Sequence, residues 1–139
     1  MKGLKTLIKL RKRDIDELKK RMAALEDKRD SYMQQSQKLQ EDLENELQLS
    51  AELADMGNFF GDFSNHIKKK RQKIAKDVVE LTGRINKLTD EIADLFGEMK
   101  KYEIAEERAM VRAKKAKEKK QQQQLDEVAL RKAYTKKKE

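Results

Sequence analysis

Between residues 74 and 102, the apolar residues follow an unbroken alternation of four-residue and three-residue steps. An average spacing of about 3.5 residues keeps one narrow apolar stripe facing a partner helix, which is the heptad pattern of a coiled coil. Because so thin a stripe cannot stabilise a helix alone in water, this segment needs a second helix. The stripe positions are Ile74, Val78, Leu81, Ile85, Leu88, Ile92, Leu95, Met99 and Tyr102.

A second and less regular heptad series runs through the first 53 residues. Leu47 and Leu49 lie off this series and indicate a local stutter between residues 43 and 53. Polar residues interrupt the series, and at such positions they weaken packing but help to fix the register. Its apolar positions are Leu4, Ile8, Ile15, Leu18, Met22, Leu25, Tyr32, Leu39, Leu43 and Leu53, and its polar ones are Arg11, Arg29, Ser36, Glu46 and Ser50.

Residues 57–65 separate the two series and read Gly-Asn-Phe-Phe-Gly-Asp-Phe-Ser-Asn. Two glycines close together favour the end of a helix, and Asp62, Ser64 or Asn65 can cap the next one. A short connection makes the two helices antiparallel neighbours. The sequence therefore predicts an all-α fold, a long antiparallel two-helix coiled-coil hairpin, as a single domain over residues 1–139. The expected elements are a first helix over about residues 3–56, a turn over about 57–64 and a second helix over about 65–135.

A turn centred near Phe60 also predicts the register of the helices. The second helix is then expected to overhang the first from about residue 114, with a basic, Gln-rich C-terminal segment. The same turn allows two chains to exchange helices, so a monomeric hairpin and a swapped dimer are both open. The expected pairs are Leu53 with Ile67, Leu39 with Leu81, Leu25 with Leu95, Leu18 with Tyr102 and Leu4 with Ala116.

Positive charge is concentrated at the two ends of a chain whose formal net charge is +8. Residues 1–13 carry six basic and no acidic side chains, and residues 107–139 carry twelve basic and five acidic ones. An antiparallel hairpin brings these ends together, and the resulting field attracts acidic partners. The basic ends are open to three interpretations: a solvated helix face, a surface for a protein, or a surface for nucleic acid or anionic lipid.

Composition argues against catalysis. With 43% charged and 5% aromatic residues and no Pro, the chain is typical of long helices around a thin core, so we expect no enclosed active site. Cysteine is absent, and the single histidine, His66, has no second His or Cys with which to share a metal. We therefore predict no enzyme, no catalytic residue, no cofactor and no metal site. The amino end lacks the apolar core of a secretory signal, and no segment approaches the ~20 apolar residues of a membrane span.

Three phenylalanines lie in the predicted turn. Phe59, Phe60 and Phe63 either close the end of the apolar stripe or form an exposed docking tip. Gly83 and Gly97 are fourteen residues apart and take the same outward-facing heptad position. Neutral drift or a partner lying close along that face would explain both glycines.

Three segments of the sequence match patterns of a known family. They are the Leu-rich, Leu-Arg opening at residues 4–13, the stretch Lys-x-x-Glu-x-x-x-x-Arg beginning at Lys100, and the ending Leu-Asp-Glu at residues 125–127. Together with the length and the two-helix pattern, they make the chain resemble the flagellar export protein FliJ family over essentially its whole length.

The resemblance implies a non-enzymatic component of bacterial flagellar type III protein export, and thus a role in motility. Members of the family resemble the central stalk of rotary ATPases. They insert into the ring of the flagellar export ATPase, contact the membrane export gate and help to hand over export chaperones. The implied location is cytoplasmic, peripheral at the inner membrane near the flagellar base. The matching positions, expected to bind partners, are Leu4, Leu7, Leu10, Arg11, Lys100, Glu103, Asp126 and Glu127.

Two alternative functions are also compatible with the sequence. One is a stalk subunit of a related rotary ATPase or of a virulence-type secretion system. The other is a coiled-coil adaptor that binds nucleic acid or anionic lipid through its basic ends. Flagellar genes beside its own would favour the export role.

Overall fold

A computed structural model describes residues 2–52 and 57–138, and every described residue is helical. Helix α1 spans Lys2–Glu52 and helix α2 spans Gly57–Lys138. The predicted all-α, two-helix hairpin is thereby confirmed. Both helices contribute to each of two units. The terminal unit comprises residues 1–13 and 95–139, and the central unit comprises residues 14–94.

The heptad positions predicted for α1 are the positions that the structure shields from solvent. Every position of the series from Leu4 to Ser50 is buried or half-buried, whether it is apolar or polar. Leu47 and Leu49 are 53% and 50% exposed, while the regular position Glu46 between the helices is half-buried. The predicted stutter is therefore wrong, because the four-three series continues unchanged through this region. Leu53, the last position of the predicted series, lies outside the described residues.

Helix α2 begins earlier than the sequence predicted. The stretch expected to form a turn, residues 57–64, is helical, so the proposed cap residues Asp62, Ser64 and Asn65 lie inside α2. The seam is the line of heptad positions at which α1 and α2 meet. Phe60 and Ser64 are half-buried and precede the buried Ile67 at four-three spacing, so the seam extends to the start of α2. Burial of aromatic side chains offsets the ~1 kcal/mol that a glycine costs within a helix. The predicted end of the first helix, near residue 56, falls outside the described residues.

In the central unit the helices are antiparallel, with a register different from the predicted one. Thr89 Oγ1 lies 3.5 Å from Met22 Sδ, and Arg71 donates hydrogen bonds to Ser36 and Gln40. A turn centred near Phe60 would instead place residue 80 opposite Gln40. The predicted pairing of Leu39 with Leu81 is therefore wrong, because α2 begins at Gly57 rather than near residue 65.

The terminal unit shows the same shift. Lys5 Nζ lies 3.9 Å from Glu106 Oε1, and Arg11 Nε lies 3.2 Å from Glu98 Oε2. The predicted pairing of Leu4 with Ala116 is accordingly wrong. Coverage of α2 ends at Ala109, and every described side chain from Met110 to Lys137 is exposed. The overhang thus begins about four residues earlier than the sequence predicted, because α1 pairs with an earlier part of α2 in the terminal unit.

Arg71 is a charged residue at a seam position of α2. It is half-buried, its Nε donates to Ser36 Oγ at 3.1 Å, and its Nη1 donates to Gln40 Oε1. All three polar groups come from positions where the two helices meet. Because the bonds require these residues to stand opposite one another, they favour one register over its neighbours.

The register can be tested with paired cysteines, since the natural chain contains none. We expect Met22→Cys with Thr89→Cys to react with a short bismaleimide cross-linker, and Leu39→Cys with Leu81→Cys to remain unlinked. In the observed register the second pair is separated by about ten residues of helix, or roughly 15 Å. Efficient linkage of the second pair and not the first would restore the register predicted from the sequence.

Arg71→Ala should lower the free energy of unfolding by about 1–2 kcal/mol, because two hydrogen bonds to a charged, half-buried donor are lost. Arg84→Ala is the matched control. Arg84 pairs with Glu80 on the exposed surface of the same helix, at 2.8 Å, and its loss should cost less than about 0.5 kcal/mol. Denaturation followed by helical circular dichroism measures both, and equal effects would contradict the role assigned to Arg71.

Candidate protein-interaction surfaces

The opening of α1 contributes two kinds of residue to the terminal unit. Leu4 and Leu7 are half-buried beside the buried Ile8, whereas Leu10 is exposed. Leu4 therefore belongs to the seam and Leu7 lies at its edge, which gives both a packing role. Of the predicted leucines, Leu10 presents the most surface to a partner.

Arg11, near the start of α1, forms an ion pair with α2. It occupies a seam position, its side chain is 28% exposed, and its Nε lies 3.2 Å from Glu98 Oε2. The ion pair of Lys5 and Glu106 is longer, at 3.9 Å, and it joins a largely exposed amine to a half-buried carboxylate. The geometry makes Arg11 a structural contact within the terminal unit.

Lys100 and Glu103 lie on α2 between Glu98 and Glu106, the two residues that form ion pairs with α1. Lys100 Nζ is 3.7 Å from Glu103 Oε2, one turn along the same helix. Lys100 is exposed and Glu103 is half-buried. The ion pairs at residues 98 and 106 therefore bring Lys100 and Glu103 alongside the opening segment of α1.

The predicted residues near the end of the chain stand apart from this cluster. Asp126 and Glu127 are exposed in the overhang, and Gln122 Nε2 donates a hydrogen bond to Asp126 Oδ1 at 3.1 Å. Twenty residues of α2 separate Asp126 from Glu106, which corresponds to about 30 Å of helix. The structure thus gathers six of the eight predicted residues, and leaves these two on a separate surface.

The aromatic segment lies at the start of α2 in the central unit. The Phe59 and Phe63 rings are nearly parallel, with centroids 6.5 Å apart. Phe59 is 60% exposed, whereas Phe60 and Phe63 are half-buried. Phe60 and Phe63 partly cover the contact between the helices, and Phe59 presents an aromatic face to solvent. A docking role for this segment stays a prediction.

The described residues contain no group of three or more His, Cys, Asp or Glu side chains that could hold a metal ion. Among the described helices, none has a stretch apolar enough to cross a bilayer. What the terminal unit offers is a two-helix segment with charged and apolar surface, followed by a bare basic helix. Such surfaces suit protein recognition.

The model of one protein family, described as flagellar FliJ protein, matches residues 1–138. The chain belongs to the FliJ family. Neither the curated proteins nor the solved structures compared with the chain gave a match. Membership of the FliJ family makes the chain a flagellar export-related component, in agreement with the resemblance that its opening, its Lys100 segment and its ending suggested.

The structure of this FliJ-family chain also reveals surface residues that the sequence reading missed. Ile104, Met110 and Val111 are exposed apolar side chains of α2 in the terminal unit. The signal was present in the sequence, because Ile104 and Val111 are seven residues apart and follow Gly97 by the same interval. The regular seam on the opposite side of α2 dominates the pattern and hides this second one.

Double-mutant cycles should separate the two interhelical ion pairs of the terminal unit. We expect a coupling of about 0.5–1 kcal/mol for Arg11→Ala with Glu98→Ala, and close to zero for Lys5→Ala with Glu106→Ala, because Lys5 is more exposed and its ion pair is longer. Unfolding free energies of the single and double variants give both values. A larger coupling for the Lys5 pair would contradict this ranking.

Proposed function

We propose that the chain is a non-enzymatic, stalk-like component of the bacterial flagellar type III export apparatus. It acts in the ring of the export ATPase, links that ring to the membrane export gate and assists export chaperones. The observation that carries the proposal is the match of the FliJ family model to residues 1–138. The specific partners are those implied by the family resemblance.

Two features of the terminal unit support contact with an acidic partner. The overhang exposes every described side chain from Met110 to Lys137, and most of its charged residues are basic. The basic opening of α1 lies in the same unit as this overhang. Fields of one sign accelerate association with partners of the opposite sign and lose strength as salt is added.

Individual surfaces can be assigned within this proposal. Leu10 and Lys100 are the accessible members of the cluster around the opening of α1, and Asp126 and Glu127 mark a second surface. Leu4, Leu7, Arg11 and Glu103 support the first surface through packing and ion pairs. The exposed Phe59 supplies a third surface, in the central unit, for docking on a partner. The proposed location is the cytoplasmic face of the inner membrane at the flagellar base.

The basic ends also support the two alternative functions. A stalk role in a related rotary ATPase or a virulence-type secretion system uses the same helical surfaces. An adaptor for nucleic acid or anionic lipid uses the lysines of the overhang. Binding of that last kind has a steep salt dependence, because each neutralised phosphate releases counterions.

The proposal is tested by mixing the purified chain with the flagellar export ATPase of the same organism. We expect the chain to raise the hydrolysis rate and to promote ring assembly at low salt, with both effects weakening as salt increases. Hydrolysis is followed by phosphate release, and rings are counted by electron microscopy. Absence of both binding and stimulation at low salt would contradict the proposal.

Charge variants sharpen this experiment. Lys114→Glu with Lys115→Glu reverses charge in the overhang and should abolish most of the stimulation. Lys68→Glu with Lys69→Glu makes the same change on exposed lysines of the central unit and should retain it. Equal loss in both variants would show that net charge, rather than the overhang, drives the effect.

A further inference from the structure

The side of α2 opposite the seam carries a second apolar stripe in the terminal unit. Gly97, Ile104 and Val111 are spaced by seven residues, so they lie on one side of the helix with about 20° of drift per heptad. Ile104 is 41% exposed and Val111 is 47% exposed. We call these three residues the outer stripe, and the exposed Met110 extends its apolar surface at one end.

Positive charge borders the outer stripe. The helical neighbours of Ile104 and Val111, three and four residues away on either side, occupy six positions. Five of them are basic, one is acidic, and all six are exposed. They are Lys100, Lys101, Glu107, Arg108, Lys114 and Lys115.

Contacts within the chain do not account for this stripe. A Cβ atom added at Gly97 would meet nothing within 4 Å, so no internal packing requires a glycine there. The preceding positions at the same spacing are Lys76, Gly83 and Asp90, and none of them carries an apolar side chain. Glu118 follows at the same spacing and interrupts the pattern before the next apolar position, Leu125. The uninterrupted apolar run thus coincides with the segment that has basic borders.

We propose that the outer stripe docks a third α-helix, supplied by a partner protein, whose own heptad stripe of apolar residues is bordered by Asp and Glu. Apolar positions every seven residues fit a partner helix lying along α2. Glycine at one end of the stripe lets the backbone of that helix approach closely. The basic borders then face the acidic borders of the partner, as charged flanking positions do in coiled coils.

Charge distinguishes this partner from other occupants. Packing the outer stripe of one copy against that of a second copy would bring two sets of basic borders together, which is repulsive. Nucleic acid would satisfy the lysines but offers no apolar groups to cover Ile104 and Val111. A membrane surface offers both phosphates and acyl chains, but a helix that lies in it presents a broad apolar face, whereas the outer stripe has one position per heptad. An acidic amphipathic helix satisfies both features.

The test uses the full chain and a labelled synthetic peptide of three heptads, with Leu at two positions per heptad and Glu at the positions beside them. One matched peptide replaces Glu by Lys, and another replaces Leu by Ser. We expect fluorescence anisotropy to show binding of the first peptide only. Equal binding of the Ser peptide would reduce the interaction to charge attraction, and absence of binding by all three would overturn the proposal.

Variants of the chain locate the site. Ile104→Glu with Val111→Glu should weaken peptide binding by at least about tenfold, because both apolar contacts are lost. Val128→Glu with Leu130→Glu is the matched control, since both side chains are exposed on the overhang, at 48% and 71%, and the change adds the same two negative charges. Circular dichroism confirms that each variant keeps its helical content. If the control variant weakens binding equally, or if the unmodified chain binds phosphatidylglycerol vesicles but none of the peptides, the assignment is wrong.

Discussion

The fold depends on a seam to which each of the two helices contributes a single narrow stripe of side chains. Among the described residues no side chain is completely enclosed, and seven apolar side chains are buried. Burial contributes free energy in proportion to the apolar area removed from water, so no single residue dominates stability. Each turn of α1 that packs on α2 adds a small increment, and the increments are spread along the helices.

Because each turn contributes a similar free energy, a uniformly apolar seam would let α1 shift along α2 by one heptad at little cost. The polar seam positions remove this degeneracy. Arg71 finds its acceptors on Ser36 and Gln40 only in the observed register, and Arg11 finds Glu98 in the same register. Specificity and stability therefore come from different residues: the apolar positions supply association, and the charged ones select the alignment.

The sequence predicted which face of each helix packs against the other helix. It did not predict the register, that is, which residue of α1 lies opposite which residue of α2. Heptad spacing is a local property of one helix, and it identified positions such as Ile15 and Ile85 that prove buried. Register depends on where the chain reverses, and the glycines at 57 and 61 suggested a turn where Phe60 and Phe63 instead extend α2. The candidate surfaces followed from family segments, whereas the seven-residue spacing of the outer stripe gained meaning only from the exposure of its side chains in the structure.

The overhang of α2 differs from the other described residues because its side chains are exposed on all sides of the helix. Between residues 112 and 120 it carries six basic side chains, namely Arg112, Lys114, Lys115, Lys117, Lys119 and Lys120. At about 3.6 residues per turn, these charges point in all directions around the axis, with no gap wider than roughly 100°. The one acidic side chain of the segment, Glu118, points into the widest gap, so a negatively charged collar around this segment would be attracted on most sides and least strongly on that one.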